Sequence, residues 1–163
     1  MRLKKMLFTL VLILVAIDQF TKWLAETNLP FQEAVSIAPL FSLYLTYNTG
    51  IAFSMLNWAG STGLVIVALI IIGFMLYLWS KVQEDHQLAH LGFALVIAGA
   101  VGNLIDRVTQ GHVIDFFLFH TENWAFAVFN VADAFITVGA IAIIVDELFS
   151  FAGGKSPSNS TDQ

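Results

Sequence analysis

The chain has no cysteine in its 163 residues. That removes disulfides, thiolate nucleophiles and cysteine-bound metals together, leaving four histidines as possible ligands. Charge is scarce as well: Asp, Glu, Lys and Arg make up 12% of the sequence, against about a quarter in soluble domains. The seven basic residues are scattered, so the basic patch of a nucleic-acid binder is missing. The stretch 26–61 contains no Lys or Arg at all. Apolar side chains take their place: 58% of the residues are hydrophobic and the mean hydropathy is +0.79. This is the composition of a membrane protein, and the net charge of −5 says little about partners.

Crossing a hydrocarbon core of about 30 Å takes about 20 apolar residues. Four segments qualify, at 6–25, 62–79, 88–106 and 126–149. The first has the basic start of a signal peptide, but Asp18, Lys22 and Trp23 follow its apolar run with no small-x-small cleavage site, so a retained span is expected. If the spans alternate, Arg2, Lys4, Lys5, Lys81 and Lys155 all fall on one side, which predicts cytoplasmic termini and a translocated 26–61 loop. A β-hairpin is expected over 40–56, turning at "NTG", and a short strand over 112–119. The polar, Gly/Ser-rich tail 152–163 is expected to be disordered. Residues 1–151 then form a single membrane domain.

This topology places the polar residues by depth. Asp18 and Lys22 lie in the outer half of the first span, Asn103, Asp106 and Arg107 at the outer end of the third, and Asn130 and Asp133 in the first turns of the fourth. Asp115 lies in the outer loop between the last two spans. The second span adds no polar group, only an interfacial anchor in Trp79. Asp18 and Lys22 are spaced i,i+4, as are Asn103 and Arg107, while Asn130 and Asp133 are i,i+3, so each pair shares a helix face. Ala98, Gly99 and Gly102 allow close helix approach beside them.

Such an arrangement brings Asp115 and Asp133 together among Asn, Lys and Arg donors. Two adjacent carboxylates cannot both ionise easily. An ionised member can take a proton from water while a protonated member polarises a carbonyl. The order of roles between the two is open.

Five blocks, "DQFTK" (18–22), "YNTGIAFS" (47–54), "AGAVGNLIDR" (98–107), "VIDFF" (113–117) and "FNVADAFITVG" (129–139), occur in the order found in the lipoprotein signal peptidase family, also called signal peptidase II, and the chain resembles that family over nearly its whole length. The resemblance implies a bacterial inner-membrane aspartic endopeptidase. It would cut diacylglyceryl-modified prolipoproteins just before the lipidated cysteine, at the periplasmic face, without metal or organic cofactor. It implies an all-α membrane fold: a four-transmembrane-helix bundle with a small periplasmic β-sheet platform and a short periplasmic helix. Asp115 and Asp133 match the catalytic dyad of the family, and Asn48, Gly99, Asn103, Arg107 and Asn130, with Asp18 and Lys22, match its supporting residues. Globomycin-type inhibitors, membrane lipid and the prolipoprotein are the implied partners, nucleic acid is not one, and the protein is expected to be a monomer.

Plainer readings stand beside these. Asp133 can be a structural acid, capping a helix turn or paired with Arg107. Asp115 can be a solvated loop acid. Asp18 and Lys22 read better as a structural ion pair than as catalysts. Asp106 adjoins Arg107 on a different helix face and reads as an interfacial acid, and Arg107 itself fits holding Asp133 as well as binding a substrate carbonyl or phosphate. "NTG" is first of all a turn, although Asn48 can also donate to a substrate backbone. His86 and His90 have metal-ligand spacing, but beside Glu84 and Asp85 they read as a solvated helix start. His112 and His120 read as interfacial, Asp146 and Glu147 as remote from everything else, and Phe116, Phe117, Phe119, Trp124 and Phe126 as an interfacial aromatic belt. A proton-coupled transporter would need acids along the bilayer midplane. The inner halves of these spans are nearly all apolar. A non-catalytic scaffold would explain the spans but not the two converging acids.

Overall fold

The computed structural model describes residues 2–50, 60–121 and 123–153. Four helices carry the fold: α1 (Arg2–Asn28), α2 (Gly60–Lys81), α3 (Gln87–Gln110) and α4 (Val131–Gly153). Each is long and apolar enough to cross a membrane, so the chain is a multi-pass membrane protein with its spans close to those expected. α3 is the central helix, and each of the other three packs against it. α2 turns Ile66, Leu69, Ile70, Phe74 and Tyr77 outward, the apolar surface that lipid rather than water must cover.

In lipid, helices gain little from burying apolar side chains against one another and depend on close backbone approach. α3 and α4 achieve it at Gly92 and Gly139. A Cβ on Gly92 would stand 2.7 Å from the Gly139 carbonyl oxygen, and one on Gly139 would stand 2.6 Å from that of Gly92. Farther along α3, a Cβ on Gly99 would collide with the carbonyl of Ala132, in the first turn of α4. Gly111, at φ 80°, ends α3 in the left-handed conformation, and its N–H returns to the Arg107 carbonyl at 3.1 Å.

Three strands, β1 (Ala34–Ala38), β2 (Phe41–Asn48) and β3 (Val113–Phe119), form an antiparallel sheet in the order β1-β2-β3. β1 and β2 follow α1, whereas β3 follows α3, so the sheet ties the two connections together at one end of the bundle. Its core there is Ala25, Leu45, Ile114 and Phe116, with Leu29, Leu43, Phe117 and Val131 packed around it. β3 is the expected strand.

The hairpin differs from expectation. β2 turns back on β1 through Pro39 and Leu40, with Ala38 opposite Phe41, because Pro39 presets the backbone for a turn. Both edges of β2 are taken, by β1 and β3. At "NTG", the Gly50 N–H donates to Asn48 Oδ1 at 2.9 Å and Gly50 sits at φ 81°. The rest of the 40–56 expectation lies at 51–56, outside the described residues, as does the tail from 154 onward. No short helix on the sheet side occurs among the described residues.

α4 begins at Val131, not near 126. The aromatic run before it is apolar enough to continue the helix but is held by β3 instead. Phe117 N–H donates to the Phe129 carbonyl at 2.8 Å, Phe129 N–H returns to Phe117 at 3.0 Å, and Phe126 N–H donates to Phe119 at 2.8 Å. Phe119, Trp124 and Phe126 are exposed as a belt requires, whereas Phe116 is buried in the core.

Candidate active site

The start of α4 builds the site. Asn130 precedes the helix and caps it. Its Oδ1 accepts the Asp133 N–H at 2.9 Å, and Asp133 Oδ2 accepts the Asn130 N–H at 3.2 Å. This reciprocal pair is a capping box made with Asn and Asp, so the capping role weighed for Asp133 is present. It uses one carboxylate oxygen. The other, Oδ1, accepts Asn103 Nδ2 at 2.8 Å from α3. Asp133 is half-buried.

Asp115 stands on β3 opposite Thr46 of β2 and is 2% exposed, not solvated. Asn130 Nδ2 donates to its Oδ1 at 2.6 Å, and Asn48 Nδ2 donates to its Oδ2 at 3.1 Å. Asn130 therefore touches both carboxylates, one through its side chain and the other through its backbone. Burial, and after it the negative charge of Asp133, push the Asp115 carboxyl up to about 6, against the hydrogen bonds from Asn48 and Asn130 and the attraction of Lys22.

Asn103 links this pair to a buried cation. Its Oδ1 accepts Lys22 Nζ at 2.9 Å and Asn130 Nδ2 at 3.2 Å. An ammonium can only donate, which fixes the Asn103 amide with its nitrogen toward Asp133. Lys22 is ion-paired to Asp18 at 2.9 Å and to Asp106 at 2.6 Å, all three at most 1% exposed. A pair taken out of water in this way holds only while both partners are present. Asp18 Oδ1 also accepts the Ala132 N–H at 2.9 Å, placing a carboxylate at the N-terminus of α4, where the helix dipole favours it.

Arg107 donates through Nη1 to the Asn103 carbonyl at 3.4 Å, and its buried Nε has no partner among the described residues. It makes no ion pair with Asp133 there, although Asp133, Asp115 and Asp106 are the charges it feels. The guanidinium keeps donors to spare beside the two carboxylates. No cluster of three or more His, Asp or Glu suited to a metal ion occurs among the described residues.

The profile of the family described as "Signal peptidase (SPase) II" matches residues 10–149. This chain belongs to the signal peptidase II family. A lipoprotein signal peptidase of Mesorhizobium japonicum is 53% identical over 150 residues, covering 92% of this chain and 88% of the relative. One from Sinorhizobium fredii is 54% identical over 138 residues, covering 85% and 83%. Two solved structures share the fold, each described as a bacterial membrane enzyme determined by the in meso method. The one at 1.9 Å resolution aligns with a TM-score of 0.78 at 28% identity, covering 88% of this chain and 93% of the other. The one at 2.3 Å aligns with a TM-score of 0.80 at 27% identity, covering 93% of each.

Against this family frame, the residues named from sequence come together: Asp18, Lys22, Asn48, Asn103, Asn130, Asp115 and Asp133 form one connected network, with Gly99 and Arg107 on its border. Asn48 has both ends of its amide engaged within the chain and holds Asp115.

Asp106 is not an interfacial acid. It shares a helix stripe with Gly99, Gly102 and Asn103, is 1% exposed, and binds Lys22. Its spacing of i,i+3 from Asn103 was the available signal. Gln19, inside "DQFTK", carries no charge to mark it in the sequence, yet its Nε2 donates to Asp106 Oδ1 at 2.7 Å. At the other end of the bundle, His90 is not solvated: it is 3% exposed, and its Nδ1 accepts from Trp79 Nε1 at 2.8 Å, which leaves its Nε2–H to donate to the Gln83 carbonyl at 3.1 Å. His86 pairs with Asp146 there, so Asp146 is not remote from everything else. On the sheet, His120 Nε2 bonds Ser42 Oγ at 2.7 Å and His112 stacks on Tyr47 at 4.1 Å between ring centroids.

Proposed function

We propose that this chain is an aspartic endopeptidase that removes signal peptides from diacylglyceryl-modified prolipoproteins, cutting just before the lipidated cysteine. The observation that carries the reading is Asn130, which joins a strand carboxylate to a helix carboxylate through one residue. Family membership supports the substrate class: the relatives are named lipoprotein signal peptidases.

In the mechanism we favour, Asp133 is the base. It is the more open of the two carboxylates, and takes a proton from a water that attacks the scissile carbonyl. Asp115, raised to about 6 by burial and by Asp133, is the member suited to carry a proton and give it to the carbonyl oxygen as water adds. As the C–N bond breaks, the proton Asp133 took from water passes to the departing amine, and a hydroxyl of the tetrahedral intermediate returns its proton to Asp115. The spare donors of Arg107 suit a substrate carbonyl beside the pair. Asn103 and Asn130 orient the carboxylates, and no metal or organic cofactor takes part.

The site then lies at the periplasmic face of a bacterial inner membrane, with both termini cytoplasmic. Arg2, Lys4, Lys5, Lys81 and Lys155 support that orientation, as does a 26–61 connection free of Lys and Arg. The protein acts as a monomer, as one domain over 1–151, and globomycin-type inhibitors would block the pair.

A gel-shift cleavage assay on purified protein with a diacylglyceryl-modified prolipoprotein tests this. Cleavage by wild type and by neither Asp115→Asn nor Asp133→Asn supports the reading. Cleavage surviving in either folded variant breaks the dyad.

A further inference from the structure

The cluster beneath the site has a symmetry that ion pairing alone does not require. Lys22 Nζ lies between two carboxylates, Asp18 Oδ2 at 2.9 Å and Asp106 Oδ2 at 2.6 Å. Gln19 Nε2 spans the same two, at 3.2 Å from Asp18 Oδ2 and 2.7 Å from Asp106 Oδ1. Each carboxylate also grips one backbone N–H outside its own helix. Asp18 Oδ1 takes that of Ala132 at 2.9 Å, and Asp106 Oδ2 takes that of Ile114 at 3.3 Å. Ala132 immediately precedes Asp133, and Ile114 immediately precedes Asp115. Gly102 makes the arrangement possible, because a Cβ there would strike Asp18 Oδ2.

We propose that Asp106, oriented by Gln19 and Lys22, is a positioning residue for Asp115, and that with Asp18 it sets the separation of the two carboxylates. The inference rests on the aspartic reading above. Asp115 is on a strand and Asp133 on a helix, and a reacting pair misplaced by about 1 Å loses about a hundredfold in rate. A cation held by two acids, each tied to the residue before one aspartate, fixes that distance from below.

The cluster's charge and its reach can be separated. Asp106→Glu keeps a carboxylate for the flexible Lys22 arm but moves the oxygen off Ile114 N–H. Gln19→Leu keeps all three charges and removes the amide that sets the rotation of Asp106. In the prolipoprotein cleavage assay, Asp106→Glu is expected to lower kcat about 30- to 100-fold and Gln19→Leu about tenfold, with KM within about threefold of wild type. The melting midpoint of Gln19→Leu is expected to stay near that of wild type. Wild-type kcat in Asp106→Glu overturns the proposal. If Asp106→Glu fails to accumulate, wild-type kcat in Gln19→Leu overturns it instead, and failure of both to accumulate assigns the cluster to folding alone. Asp115→Asn, assayed in parallel, separates the two levels: its activity would sink the aspartic reading itself. An inactive Asp115→Asn beside a fully active Asp106→Glu removes only the positioning role.

Discussion

Asn130 and Asp133 cap each other across the first turn of α4, the side-chain oxygen of each accepting the other's backbone N–H at 2.9 and 3.2 Å. The same Asn130 amide donates to Asp115 at 2.6 Å. One residue thus terminates a helix and links two acids. We expect Asn130→Ala to cost about 1 kcal/mol of stability through the cap and about a hundredfold or more in kcat through lost orientation. Asn130→Asp removes both amide donors and adds a third charge. Its residual activity is expected to rise as the pH falls, and a profile parallel to wild type would contradict the bridging role.

The carboxyl of Asp115 is raised to about 6 from an ordinary value of 3.8. An acid whose folded value is raised stabilises the fold fully only below its unfolded value and loses that contribution as the pH climbs through the folded one. Wild type therefore carries a cost above about pH 6 that Asp115→Asn escapes, less about 1 kcal/mol for the amide hydrogen now facing Asn48 or Asn130. In detergent melts, Asp115→Asn is expected to be more stable than wild type by about 1–2 kcal/mol at alkaline pH. The gain is expected to vanish as the pH falls from about 6 to about 4. A pH-independent difference would mean that the buried acid is not what separates the two proteins.

Among the described residues Lys22 is the one cation paired with both Asp18 and Asp106, which makes the three residues unequal. Lys22→Met leaves two buried acids without the cation that bridges them, and we expect it to accumulate least in membranes. Asp18→Ala leaves Lys22 paired with Asp106 but strips the acceptor from Ala132 N–H. It is expected to cost about 3 kcal/mol and to lower accumulation more than kcat. Immunoblots of membrane fractions with melts of purified protein rank the variants. Asp18→Ala at wild-type levels but fully inactive would reverse the structural assignment of this residue.

Much of this was legible in the sequence because lipid imposes a blunt code. Four apolar runs gave four helices, and i,i+3 and i,i+4 spacing brought Asp18, Lys22, Asn103, Asn130 and Asp133 to one end. Sequence and structure part where a distant partner decides the outcome. The 123–129 stretch is as apolar as a helix start, but β3 offered its backbone hydrogen bonds. The β2 partner depended on a pairing with β3 that lies across two helices. Beside Arg107 in the sequence Asp106 reads as interfacial, but Asn103 and Gly99, on its own helix face, decide its burial. His90 looked exposed beside Glu84 and Asp85, and only the fold shows Trp79 covering it.

Gly99 faces the first turn of α4, where a Cβ would strike the Ala132 carbonyl and stand 2.8 Å from Ile136. Gly99→Val must push α3 from α4 at the level where Asn103 reaches Asp133. We expect overpacking to cost about 1–3 kcal/mol and kcat to fall about a hundredfold, with prolipoprotein binding to the uncleaving enzyme less affected. A variant that melts like wild type and cleaves at full rate would show that this helix separation is not critical.

The opposite end of the bundle offers a test of a different sign. His86 Nδ1 pairs with Asp146 Oδ2 between the start of α3 and the end of α4. The hydrogen bond from Asp146 raises the His86 value above the ordinary 6.5, and the charges of Asp146, Asp85 and Glu147 add to the effect. A histidine raised in the folded state contributes its full stability below its unfolded value and loses it as the pH rises through the folded one. His86→Ala is therefore expected to melt below wild type under mildly acidic conditions, with the two curves converging above the raised value. Cleavage of prolipoprotein is expected to change little, since the pair lies a full span from Asp115 and Asp133. A melting gap that stays constant from acidic to alkaline pH would show that packing, not the proton on His86, joins α3 to α4 at this end.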